Sequence, residues 1–113
     1  MKQKIKTWLT LAKNDLSLAK DLLGKKGRAY YAAHFCHQSI EKMLKAVISE
    51  KTDKIPLPTH NFKILLDQSG LRDIPEKIKE FIFSMTPHYR HEISRRHCQA
   101  IQELYKEFCG QVV

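Results

Sequence analysis

A chain of 113 residues has room for one domain, since globular domains most often hold about 100 to 150 residues, and at 42% apolar and 28% charged residues it can build a core without staples. Its 20 Lys and Arg against 12 Asp and Glu, a formal charge of +8, favour a polyanionic partner such as RNA, DNA or an acidic protein, unless the lysines crowded along the N-terminal third only solvate an outer face. Three cysteines without paired spacing argue against a secreted disulfide framework, and no apolar run approaches the ~18 residues of a membrane span, so a reduced, cytoplasmic protein is expected.

The basic, amphipathic start of the chain lacks a continuous apolar stretch and reads as a helix, not a signal peptide. Ile5, Trp8, Leu9, Ala12, Leu16, Ala19, Leu22 and Leu23 step by three and four, the spacing of one helical face. Gly24 and Gly27, flanking Lys25 and Lys26, end this helix and supply a short turn, so the next helix returns antiparallel. That second helix is expected from about Arg28 to Glu50, with Ala33, Cys36, Ile40, Met43, Leu44, Val47 and Ile48 on a broad apolar face. Pro56 and Pro58 break it, because each restricts its predecessor to extended backbone.

A short third helix follows, with Thr59 or His60 expected as its cap, Phe62, Leu65 and Leu66 facing inward and Gly70 closing it. Pro75 starts a fourth, with Ile78, Phe81, Ile82 and Met85 as its buried stripe and Thr86-Pro87 as its end. Ile93, His97, Ala100, Ile101, Leu104 and Phe108 recur at helical spacing and predict a last helix over about His91 to Cys109. Alternation at period two is absent. The expected fold is all-α, a single domain over residues 1–113 forming an up-and-down antiparallel bundle of four long helices plus one short helix.

Within helix 2 the order Tyr30-Tyr31-Ala32-Ala33, then Gln38, Glu41-Lys42, Met43-Leu44, Lys45 and Ala46 resembles the second helix of HEPN domains. Helix 1, with Trp8, Leu9, Ala12, Asp15, Leu16, Ala19 and Leu22, is similar to the opening helix of that family. Pro58-Thr59-His60-Asn61-Phe62 resembles its Thr-His-Asp-Leu segment, with Asn61 in place of the Asp, and Thr86-Pro87-His88-Tyr89-Arg90 resembles in part the segment before its last helix. The family's Arg-Tyr-Pro motif is missing here, and the connection into the last helix is shorter than the family's.

The resemblance implies a helical bundle that forms a homodimer and works with a separately encoded minimal nucleotidyltransferase. It also implies metal-independent RNA cleavage by an Arg and a His near the start of the last long helix, brought together across the dimer. In that chemistry the His moves a proton and the Arg stabilises charge on phosphorus, tasks that suit imidazole and guanidinium. Two pairs have comparable spacing, Arg28 with His34 and Arg90 with His97. At about 100° per residue the first pair is splayed by about 120°, while the second returns to within about 20° of one face. Arg90 and His97 are therefore the expected catalytic pair, the alternative being a loop charge and a half-buried interface histidine.

Tyr89, His91, Arg95 and Arg96 complete a basic, aromatic cluster suited to RNA or a nucleotide, or to a solvated helix face. No metal or other cofactor is expected, since His91 and His97 point in different directions and no second cluster completes a ligand set. Tyr30 and Tyr31 are expected to fill the bundle end or to line a nucleotide cleft. Glu41, Lys42 and Lys45 are expected at a salt-bridged surface or dimer edge, Glu41 and Lys45 having the favourable i,i+4 order. A toxin-like ribonuclease or RNA-binding subunit is thus expected, against the alternative of a non-catalytic nucleotide-binding adaptor that regulates the nucleotidyltransferase.

Overall fold

The structure, a computed structural model, describes residues 3–52, 54–70, 74–85 and 95–112. They form five helices, α1 (Gln3–Leu23), α2 (Ala29–Thr52), α3 (Phe62–Ser69), α4 (Glu76–Ser84) and α5 (Arg95–Val112), with no strand among the described residues. Three are long and two are short. Four long helices were expected, but α4 extends over only nine residues, bounded by Pro75 and by Met85. Its missing turn costs the bundle little, because Ile82 and Met85 still reach the core and are fully buried.

On α1 the buried residues are Ile5, Leu9, Ala12, Leu16 and Ala19, a strict alternation of four- and three-residue steps that keeps one narrow seam facing α2. Trp8 and Leu23 flank that seam, partly buried, and Lys4 sets its ammonium 4.9 Å from the Trp8 ring centroid. The turn out of α1 is built by Lys25 N–H donating to the Leu22 carbonyl and Arg28 N–H to that of Lys25. Gly27 sits between them at φ +77°, a left-handed backbone where a side chain would be strained. Ser39 Oγ then donates to the Ala12 carbonyl at 2.7 Å, about as far beyond the turn as Ala12 lies before it. The two helices are therefore an αα-hairpin.

Among the helices, α2 is the most enclosed, packing on α1, α3 and α5. Its apolar face is as expected and widens to include Ala32 and Ala46. At the other end of the fold, α3 is capped by Asn61, whose Oδ1 accepts from Ile64 N–H at 3.1 Å. Thr59 and His60 were expected there. Thr59 Oγ1 instead accepts from Asn61 N–H, which orients the cap, and His60 turns back toward α2. Asn61 can replace an Asp at this position because either side chain offers the oxygen a helix N-terminus needs. Gly70 ends α3 at φ +71°, its N–H donating to the Asp67 carbonyl.

Along α5, Cys98, Ile101 and Leu104 are buried, while the expected apolar positions Ile93 and Phe108 lie outside the residues whose side chains are described. None of the described helices is long and apolar enough to cross a membrane.

Two substitutions separate core from cap. Phe62 is fully buried and meets the His37 ring edge-on, centroids 6.3 Å apart. Phe62→Ala should cost roughly 3–5 kcal/mol of unfolding free energy, and Asn61→Ala about 1 kcal/mol, both read from urea denaturation monitored by circular dichroism.

Candidate functional site

Burial of Cys98, Ile101 and Leu104 fixes the rotation of α5 and so the bearings of its first turn. Arg95, Arg96 and Gln99 are exposed, and His97, one step from Cys98, lies half-buried at the edge. Its ring rests near Phe81 of α4, centroids 6.2 Å apart and planes inclined by 36°. Such a position supports the imidazole on one side and leaves part of it open to solvent. Of the expected site, the structure thus brings together His97, Arg95 and Arg96, while Tyr89, Arg90 and His91 lie outside the described residues.

Arg95 also faces α1. With Lys20, Leu23, Cys98 and Gln99 it surrounds a surface depression of about 320 Å³. Lys20 is one of the lysines whose alternative reading was a solvated outer face. It points to α5 instead, its Nζ donating to Gln102 Oε1 at 2.6 Å. Sequence reasoning did not single it out, although a signal existed. Lys13 and Lys20 each follow a buried alanine, Ala12 and Ala19, so both border the packed seam, two turns apart.

Cys98, which lines this depression, belongs to a thiol pair. Cys36 of α2 and Cys98 of α5 are both reduced and buried, and they share a hydrogen bond across the helix interface. Cys36 acts as the donor: its hydrogen bond to Cys98, together with burial, pushes its own pKa upward. Cys98 is the acceptor, and that bond lowers its pKa to about 7, with help from the nearby Lys20 ammonium and against the effect of burial. A thiolate so placed is held by a neighbour and a cation, the pattern by which proteins favour the ionised sulfur.

The polar residues of α2 have structural work. Glu41, expected at a surface or dimer edge, is buried, because α3 and the segment leading to it cover that flank. Its carboxylate accepts from Lys45 Nζ at 3.2 Å and from His60 Nδ1 at 2.5 Å, so both oxygens are occupied. Lys42 crosses to Asp15 of α1 at 2.5 Å. Tyr30 and Tyr31 do not fill the bundle end as expected. They are 74% and 50% exposed and pack edge-on against each other, since Ala32 and Ala33 take the inward positions of that turn.

The family model described as the HEPN domain matches residues 5–104. No curated protein and no solved structure matches the chain.

The thiol pair can be read directly. The thiolate ultraviolet absorbance of the native protein should show one cysteine titrating with pKa about 7, absent in Cys98→Ser and moved up toward the ordinary value of 9.0 in Cys36→Ala. Between pH 7 and 9 the unfolded chain holds more protons on Cys98 than the folded one, so native stability should rise with pH across that window. Above pH 9 Cys36 ionises only on unfolding, and the trend should reverse. Denaturation midpoints of the wild type relative to a Cys36→Ala/Cys98→Ala variant measure both arms.

Proposed function

Because the chain belongs to the HEPN domain family, we propose that it is an RNA-directed subunit, a metal-independent endoribonuclease of the toxin-like class that acts as a homodimer. Its up-and-down bundle would be completed by α3 and α4 as the leg between α2 and α5. The observation that carries the reading is the bearing of the first described turn of α5. Two arginines point to solvent beside a half-open imidazole, and the turn contains no carboxylate. Arginine forks suit the phosphodiester, and the imidazole suits the proton traffic.

In this mechanism the 2′-hydroxyl of RNA attacks the adjacent phosphorus while His97 takes its proton. Arg90, which enters from the sequence, stabilises the charge that builds on the phosphorane oxygens. The bond to the 5′-oxygen of the next nucleotide then breaks as the proton held on His97 passes to that oxygen, leaving a 2′,3′-cyclic phosphate and a 5′-hydroxyl. Arg95 and Arg96 hold the flanking phosphates, and Tyr89 and His91 offer faces for base stacking. The separately encoded minimal nucleotidyltransferase is the partner that would hold this activity in check.

Purified protein in a chelator should cleave a short, unstructured, fluorescently labelled RNA and leave cyclic phosphate ends. His97→Ala and Arg90→Ala should each lose about 10²- to 10⁴-fold in rate. Equal cleavage by His97→Ala removes the site assignment. Absence of cleavage by the wild type, together with nucleotide or nucleotidyltransferase binding in calorimetry, replaces this reading with that of a non-catalytic adaptor.

A further inference from the structure

Lysines on the two sides of α1 are treated differently by the fold. On the side of α2, Lys42 reaches across to Asp15, so the ammonium at that interface meets a carboxylate. On the side of α5 the pattern stops. A second depression, of about 330 Å³, lies between the two helices and is lined by Lys13, Lys20 and Lys106 together with Ser17, Gln102 and Tyr105. It adjoins the depression of Lys20 and Arg95 through Lys20, which lines both. Among the described residues no carboxylate lines either one. Four cations therefore border a trough made of two adjoining depressions between α1 and α5, with Lys20 common to both. Of these, Lys20 also acts electrostatically on the Cys98 thiol.

Direction follows from the same residues. Lys13 and Lys106 mark one end of the trough, and Leu23 with Arg95 the other. Ascending numbers on α1 thus meet descending numbers on α5, and the helices are antiparallel. Lys13 and Lys20 stand roughly 10 Å apart along the helix axis. The trough ends at Arg95, two residues from His97.

We infer that the α1–α5 trough carries the sugar–phosphate backbone of single-stranded RNA toward the head of α5. This rests on the RNA-directed reading of the domain and adds to it a path and a substrate form. The two depressions, of about 330 and 320 Å³, follow one another along the groove between the helices, as successive phosphates of a single strand would require. Three of its four cations are lysines, point charges on flexible stems that follow a backbone without reading its sequence. Leu16 and the Tyr105 ring add an apolar wall on which a base can lie.

The charge changes that test the trough fall on none of the residues assigned to catalysis. In a His97→Ala background, which keeps RNA intact, binding of a fluorescein-labelled unstructured RNA is followed by anisotropy across a range of salt. Changing Lys13, Lys20 and Lys106 together to Gln should weaken binding by about tenfold or more at low salt. It should also flatten the slope of log K against log salt by about 0.7 for each lysine lost. Circular dichroism should show the same helicity and melting as the parent, since all three lysines are exposed. Unchanged affinity and slope in the triple variant overturn the trough while leaving the RNA-directed reading in place. A parent that binds no RNA overturns both. Tighter binding of polyglutamate than of RNA, lost in the triple variant, overturns the trough as an RNA path and assigns it to an acidic protein.

Discussion

The helix α2 must lie inside its own bundle, and most other features follow from that constraint. With α1, α3 and α5 packed around it, α2 buries Ala32, Ala33, Cys36, Ile40, Met43, Leu44, Ala46, Val47 and Ile48 over most of its circumference. A helix so enclosed cannot leave its polar side chains to water, because an unpaired polar group in the interior costs several kcal/mol. Each one therefore becomes a joint. Ser39 donates to the backbone of α1, Glu41 gathers Lys45 and His60, and His37 lies against Phe62. These contacts register α1 and α3 against α2 more specifically than the apolar seam alone could do.

The same constraint explains why the helix that most clearly carries the family pattern lends no side chain to the proposed chemistry. Its Gln, Glu, Lys and small residues are placed for packing and for internal pairing. The groups that face outward toward a ligand are left to α5, whose apolar stripe is narrow. Burial of Cys98 turns Arg95 and Arg96 to solvent and sets His97 at the boundary. Enclosure of α2 also creates the thiol pair, since Cys36 meets the sulfur of Cys98, which α5 buries.

The long helices and the hairpin turn were legible because they rest on local rules. Steps of three and four along α1, glycines at a left-handed turn and prolines that forbid helix each act within a few residues. The cap of α3 was misplaced by one or two positions for a related reason. Thr59, His60 and Asn61 all have side chains able to accept from a helix N-terminus, and the choice among them fell to His60 being drawn away by Glu41. Glu41 itself reads as a surface residue in sequence, because its burial depends on what covers α2 and not on α2. Tyr30 and Tyr31 read as buried for the opposite reason, their size being local information and their exposure a consequence of Ala32 and Ala33 facing inward.

By itself, the sequence determined the all-helical class, the α1–α2 hairpin, the apolar faces and the family pattern, since all of these are set by periodicity and turn chemistry between near neighbours. Only the tertiary structure decided which lysines of α1 are solvated and which border a trough with α5. It alone brought Cys36 to Cys98 and Glu41 to His60. Those outcomes depend on how helices far apart in the chain rotate against one another, and that rotation is chosen by the packing of the whole core.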